Sequence, residues 1–250
     1  FFLLLGAITD TGNRIYSAIG ITSSGTINVT VPHAGAQLYL NDRPAGQSSR
    51  SNETLSFPNL RIGQHTLIVA REGYYPWAKT IELHADETQA LRPFLAAHRP
   101  PQRTIDPNSS EYRELIRAIQ EVRAPSAAEP RVARTRAPIT IWVEGDAINA
   151  RWRGEEDEIP PSFCINPDRC VAQITVNTTD QAVRNLAFYK DRDDVVVFAT
   201  GNAVYALEVT PHGTRQNFQP IYEGTEPNFV VTGTSTIAVL DDGFLLSIEL

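Results

Sequence analysis

Four stretches of this chain, residues 26–31, 36–41, 64–71 and 79–84, alternate apolar with polar side chains and are rich in Val, Ile, Leu and Thr. A period of two is that of a strand with one face buried. Turn signals separate the stretches: Pro32 with Gly35, the run Asn41-Asp42-Arg43-Pro44-Ala45-Gly46, Ile62-Gly63 and Glu72-Gly73. Short strands at this spacing predict a compact antiparallel β unit over residues 25–96.

The alternation stops over residues 97–138, where Pro100, Pro101, Pro107, Pro125, Pro130 and Pro138 punctuate an arginine-rich stretch that reads as a linker. One helix is predicted inside it, over residues 110–123. Ser109 or Ser110 caps it, Glu111 and Glu114 occupy its first turns, and Pro125 follows its end. Tyr112, Leu115, Ile116 and Ile119 fall at i, i+3, i+4 and i+7, one apolar stripe suited to docking on a neighbouring domain.

Residues 139–250 contain a repeat. Val195–Val209, a strand, a short turn and a second strand, aligns without a gap to Thr236–Leu250, an offset of 41 residues. Ile139–Trp152 fits the same template, with Gly145-Asp146-Ala147-Ile148 matching Gly201-Asn202-Ala203-Val204. The surplus between the first and second copies falls in the acidic, cysteine-bearing stretch 155–170. A period near 41 residues is that of a four-stranded propeller blade. Three copies do not close a propeller, so the expectation is a β-meander or partial, propeller-like domain, incomplete in this chain.

Composition agrees with a globular chain: 42% hydrophobic and 20% charged. The net charge of −7 is unevenly spread. Residues 1–98 balance seven basic against seven acidic groups; residues 99–137 carry eight against five; residues 138–250 carry seven against seventeen. An acidic half of that size repels phosphate backbones, so no nucleic-acid partner is expected. There is no methionine, and the opening Phe1–Ile8 is an apolar run too short to span a bilayer, which takes about 20 residues. Residues 1–24 are therefore expected to be the end of a membrane anchor or signal region, with a buried strand as the alternative. The two cysteines, Cys164 and Cys170, flank Ile-Asn-Pro-Asp-Arg, whose Pro-Asp turn is suited to bringing the sulfurs together. A local disulfide outside the cytoplasm is expected, with free thiols as the alternative and a metal site the remote third.

Several landmarks in the first unit resemble those of PEGA domains. Thr30-Val31-Pro32 leading to Gly35-Ala36-Gln37-Leu38-Tyr39-Leu40-Asn41-Asp42 resembles their strand–turn–strand opening. Leu60–Val69 is similar to their Gly-x-His segment and the strand after it, and Gly73-Tyr74-Tyr75-Pro76-Trp77 to their Gly-Tyr-x-Pro-Trp turn. Lys79–Leu83 is similar to the closing strand. One departure is the pair His33-Ala34 where the family has a single residue. The resemblance implies a small β module of bacterial or archaeal surface and envelope proteins, and says little about ligands.

The search for chemistry yields little. His33, His65, His84, His98 and His212 are scattered without metal-ligand spacing, and no nucleophile elbow, phosphate-binding loop or dinucleotide glycine pattern occurs. The acidic runs Glu155–Glu158 and Asp191–Asp194 match no calcium loop and read as solvated. Tyr39, Tyr74, Tyr75 and Trp77 are either core of a small domain or a platform on which sugar rings stack.

The expectation is thus an all-β protein: a small antiparallel, sandwich-like PEGA domain at 25–96, a linker with one short helix at 97–138, and a propeller-like repeat domain at 139–250. No catalytic residue, metal or cofactor is expected. The expected role is non-catalytic, in an extracytoplasmic protein anchored to the cell membrane and meeting a cell-wall glycan or another envelope protein. The alternatives are an envelope glycan hydrolase and the sensory ectodomain of a transmembrane signalling protein.

Overall fold

The computed structural model describes residues 23–122, 131–132, 138–166, 169–211 and 216–250. The Phe1–Ile8 run, His212 and the Pro167-Asp168 turn lie outside the described residues. Among the described residues strands are the main regular element, and the chain separates into two compact units. One holds the described residues up to Glu72 together with Pro76–Leu95; the other holds Gly73–Tyr75 and Ala96–Leu250.

The described residues of the first unit form seven strands: β1 (Ser24–Val31), β2 (Gln37–Leu40), β3 (Arg43–Gln47), β4 (Glu53–Arg61), β5 (Gly63–Ala70), β6 (Trp77–Leu83) and β7 (Thr88–Leu91). They form a three-stranded sheet in the order β4-β1-β7 and a four-stranded sheet in the order β3-β2-β5-β6. All pairings are antiparallel except β1 with β7, which is parallel. The period-two pattern is carried into burial: Ile27, Val29 and Val31 on β1, Leu67 and Val69 on β5, and Ile81 and Leu83 on β6 are all buried, with half-buried residues between them. The hairpin between β2 and β3 turns on two residues, Asn41 and Asp42, at φ 52° and 62°. Positive φ at both positions matches the right-handed twist of the flanking strands, and Asn and Asp tolerate it best after Gly.

Three further strands stand where none is predicted. β3 lies in the run read as a turn, and β4 and β7 are the outer strands of the other sheet. Pro44 is accommodated because β3 is an edge strand, where no ladder donor is required of it.

The second unit contains β8 (Gln102–Thr104), helix α1 (Ser110–Glu121), β9 (Arg131–Val132), β10 (Ile139–Glu144), β11 (Ala147–Trp152), β12 (Cys164–Asn166), β13 (Arg169–Cys170), β14 (Gln173–Thr178), β15 (Asn185–Phe188), β16 (Val195–Thr200), β17 (Ala203–Glu208), β18 (Phe218–Glu223), β19 (Asn228–Val231), β20 (Thr236–Asp241) and β21 (Phe244–Glu249). Three antiparallel four-stranded sheets result, β14-β11-β10-β9, β15-β16-β17-β18 and β19-β20-β21-β8. Each is centred on one copy of the repeat, the hairpins β10–β11, β16–β17 and β20–β21, all closed by two-residue turns. Gly145 and Gly201 open the first two turns at φ 62° and 54°; Asp242 and Gly243 form the third at 46° and 79°. The aligned glycine and Asn/Asp positions are thus the turn chemistry of one repeated hairpin.

The first two sheets share a core of Ile141, Ile148, Ala150, Phe163, Val176, Leu186, Val196, Phe198 and Val209. The third sheet is completed from outside the repeat. β8 pairs with Leu246–Ile248 of β21, and Ile105 N–H donates to Leu245 O at 2.9 Å. α1 then lays Ile119, Tyr112, Leu115 and Ile116 against Ala238, Leu245, Val230 and Leu240. Its N-cap is Ser109, whose Oγ accepts from Tyr112 N–H at 3.0 Å. The stretch that reads as a linker therefore supplies an outer strand and an apolar cover to the last sheet of its own unit.

Candidate functional site

The four aromatic residues singled out by sequence go to different surroundings. Trp77 is 1% exposed, paired across β5–β6 with buried Val69, so its ring is core and offers no face to a ligand. Tyr39 takes the other side of its sheet: it is half-buried on β2, next to buried Leu38, and its hydroxyl donates to Gln37 Oε1 at 2.7 Å. Tyr74 and Tyr75 belong to the second unit, where the Gly73–Tyr75 turn is tied to residues 96–98. Tyr75 N–H donates to Ala96 O at 2.9 Å, His98 N–H to Gly73 O at 2.8 Å, and the Tyr75 and His98 rings meet edge to face at 4.4 Å.

Beneath that turn, Tyr189 lines a cavity with Ala96, Ala97, Pro100, Ile221 and Glu249. The cavity is about 10 Å³, room for one water. Burial pushes the Tyr189 hydroxyl up to about 12, against the opposing pull of Arg192. Arg192 itself forks onto Asp194 with contacts of 2.7 and 2.6 Å, so the acidic run 191–194 is internally paired. Desolvation holds Lys190, beside Tyr189, below the usual lysine range.

His65 has a hydrogen-bond partner on each ring nitrogen, and its role is structural. Nδ1 accepts from the Asn41 side-chain amide at 2.9 Å, and Nε2 donates to Arg61 O at 2.7 Å. Asn41 Oδ1 in turn accepts from Thr66 N–H at 3.0 Å, which fixes the amide orientation and with it the ring tautomer. This network clamps the β2–β3 turn to the start of β5.

In the second unit the repeated hairpins are joined at their turn ends by polar groups. Arg184 donates to Gly201 O at 2.7 Å and to Pro227 O at 2.8 Å, and Asn185 donates to Phe229 O at 2.7 Å. Asp241, 7% exposed, accepts from Tyr222 Oη at 3.0 Å, Thr225 N–H at 3.1 Å and Glu226 N–H at 2.9 Å. Desolvation, reinforced by the Asp241 hydrogen bond, pushes the Tyr222 hydroxyl up to about 12. These contacts are fully committed to holding neighbouring sheets together. Among the described residues no group of three or more His, Cys, Asp or Glu is placed to hold a metal ion.

Cys164 and Cys170 are joined by a disulfide across the β12–β13 hairpin. The hairpin is an insertion between β11 and β14, anchored by Phe163, which is fully buried in the shared core. The acidic run 155–158 precedes it as an exposed 3-10 turn at Glu156–Glu158.

The order of strands and the Gly73 turn at φ 81° reproduce the landmarks seen in the sequence. Residues 24–96 match the PEGA domain family. No curated protein matches the chain. Among solved structures, one described as the AfRom2 CNH domain aligns at 12% identity with a TM-score of 0.27, covering 84% of this chain and 68% of that one.

Within the PEGA domain, the residue that sequence reasoning left without a role is Asn41, read only as a turn former. Its side chain closes the clamp on His65 from 24 positions away. An Asn-Asp turn upstream of a Gly-x-His segment is the signal that marks it. Gln37, Thr66 and Thr80, which share the outward face with Tyr39, carry no signal in the sequence; only strand register brings them together.

Proposed function

We propose that this chain is a non-catalytic, extracytoplasmic envelope protein that binds a surface polymer or another envelope protein, held to the membrane by a segment ahead of β1. The observation that carries the reading is the PEGA match over residues 24–96. The Cys164–Cys170 bridge supports it, since such bonds persist in oxidising compartments and are rare in reducing ones. In the second unit, rigid sheets hold connecting segments such as the bridged hairpin at the surface, an arrangement suited to display and binding. The acidic balance of residues 138–250, seven basic against seventeen acidic groups, points to partners other than nucleic acid.

The test is co-sedimentation of the purified chain with isolated cell-wall polymer and with solubilised envelope protein, alongside an assay for released sugars. Retention on either without release of sugar is the expected result. Steady hydrolysis of the polymer, or failure to associate with both, would overturn the proposal.

A further inference from the structure

The four-stranded sheet of the PEGA domain has two unlike faces. Leu38, Leu67, Val69, Trp77, Ile81 and Leu83 are buried on one. The residues between them take the other, and strand register orders them into rows. Pro44, Tyr39, Ile68 and Ala78 are cross-strand neighbours in one row running over all four strands. Thr66 faces Thr80 in the next row, Gln64 faces Glu82 beyond it, and Gln37 lies on the other side of Tyr39. Gln37, Gln64 and Thr80 are exposed, and Tyr39, Thr66 and Ile68 are half-buried. Tyr39 is pinned by its bond to Gln37 Oε1 at 2.7 Å, which leaves the Gln37 amide N–H groups directed to other acceptors.

The chemistry of this face is specific. It carries one aromatic ring, a flat apolar row, and amide and hydroxyl groups on either side. Its rows include a single carboxylate, Glu82, and no cation. A face of that charge has no means of attracting an acidic polymer and little for a basic one. It does suit a ligand that is apolar on its C–H faces and rich in hydroxyls at its edges. Strands about 4.8 Å apart repeat at close to the rise of one unit in an extended glycan. We infer that this face binds an uncharged glycan strand, with Tyr39 stacking on one sugar ring and Gln37, Gln64, Thr66 and Thr80 taking its hydroxyls. The inference rests on the polymer-binding reading above and narrows it to one ligand class and one surface.

The intact chain is titrated calorimetrically with cellohexaose and with chitohexaose, at low salt and at about 0.5 M NaCl, a concentration that screens exposed charge beyond a few ångströms. Binding of either probe, unchanged by salt, is expected. Tyr39→Ala should weaken it at least tenfold, Tyr39→Phe should keep most of it, and Thr80→Lys should abolish it with the thermal transition of the chain in place. Binding that survives both Tyr39→Ala and Thr80→Lys overturns this surface while leaving the polymer-binding reading intact. No binding of either probe overturns the inference, and if the chain also fails to sediment with envelope polymer or protein, the broader reading falls with it. Binding that collapses on adding salt overturns the assignment to an uncharged ligand.

Discussion

Two tyrosines in the second unit are held away from ionisation for different reasons. Tyr189 is 3% exposed and pushed up to about 12 by burial. Tyr222 reaches about 12 through desolvation and its hydrogen bond to Asp241, already negative. In an unfolded chain both would ionise near 10. Between about pH 10 and 12 the unfolded state therefore gives up protons that the native state keeps, and stability falls as pH rises through that window. Replacing both by Phe removes the groups responsible. The double variant is expected to lose less stability between pH 9 and about 11.5 than the parent chain, measured by urea denaturation at each pH. Equal losses would mean that the alkaline instability comes from elsewhere.

At the scale of elements, the closure of the third sheet by β8 and α1 is the feature with the clearest energetic consequence. The helix is capped by Ser109 and fastened by Ile119, which is 2% exposed. Ser109→Ala is expected to cost about 1 kcal/mol and Ile119→Ala about 2–5 kcal/mol, both read from denaturation of the intact chain. If the helix were a detached linker element, both substitutions would leave the transition unchanged. The same elements show what the sequence could and could not reveal. The four strands recognised in advance include all three inner strands, β1, β2 and β5, and alternate residues of β1 and β5 are buried to 0% exposure at several positions. The unrecognised β3, β4, β7 and β8 are all edge strands, and β8 is exposed at all three residues. Buried on neither face, β8 has no reason to alternate, so its pairing is legible only from β21, the partner that templates it. α1 declared itself by its cap and stripe, but the surface that receives the stripe lies more than 100 residues further along the chain.

For the whole molecule, the legible part was the class: an all-β chain, with a PEGA domain over residues 24–96 and hairpins repeating through the second unit. The candidate site was legible only in part. Composition flagged four aromatic residues; it had no means of separating Trp77, packed against the core, from Tyr39 on the opposite face, because adjacent strands interleave residues distant in sequence. The asymmetry of charge, neutral to residue 98 and strongly acidic beyond 138, is a property of the whole molecule that no single element carries. Location is the claim on which the proposed role depends, and the Cys164–Cys170 bridge is its internal reporter. Cells producing the protein from its full gene are treated with a thiol-blocking reagent before lysis, and the peptides containing Cys164 and Cys170 are weighed. The account predicts a bridged pair with no label on either sulfur, in protein that a protease added outside the cytoplasmic membrane can reach. Two labelled thiols, in protein shielded from that protease, would contradict it.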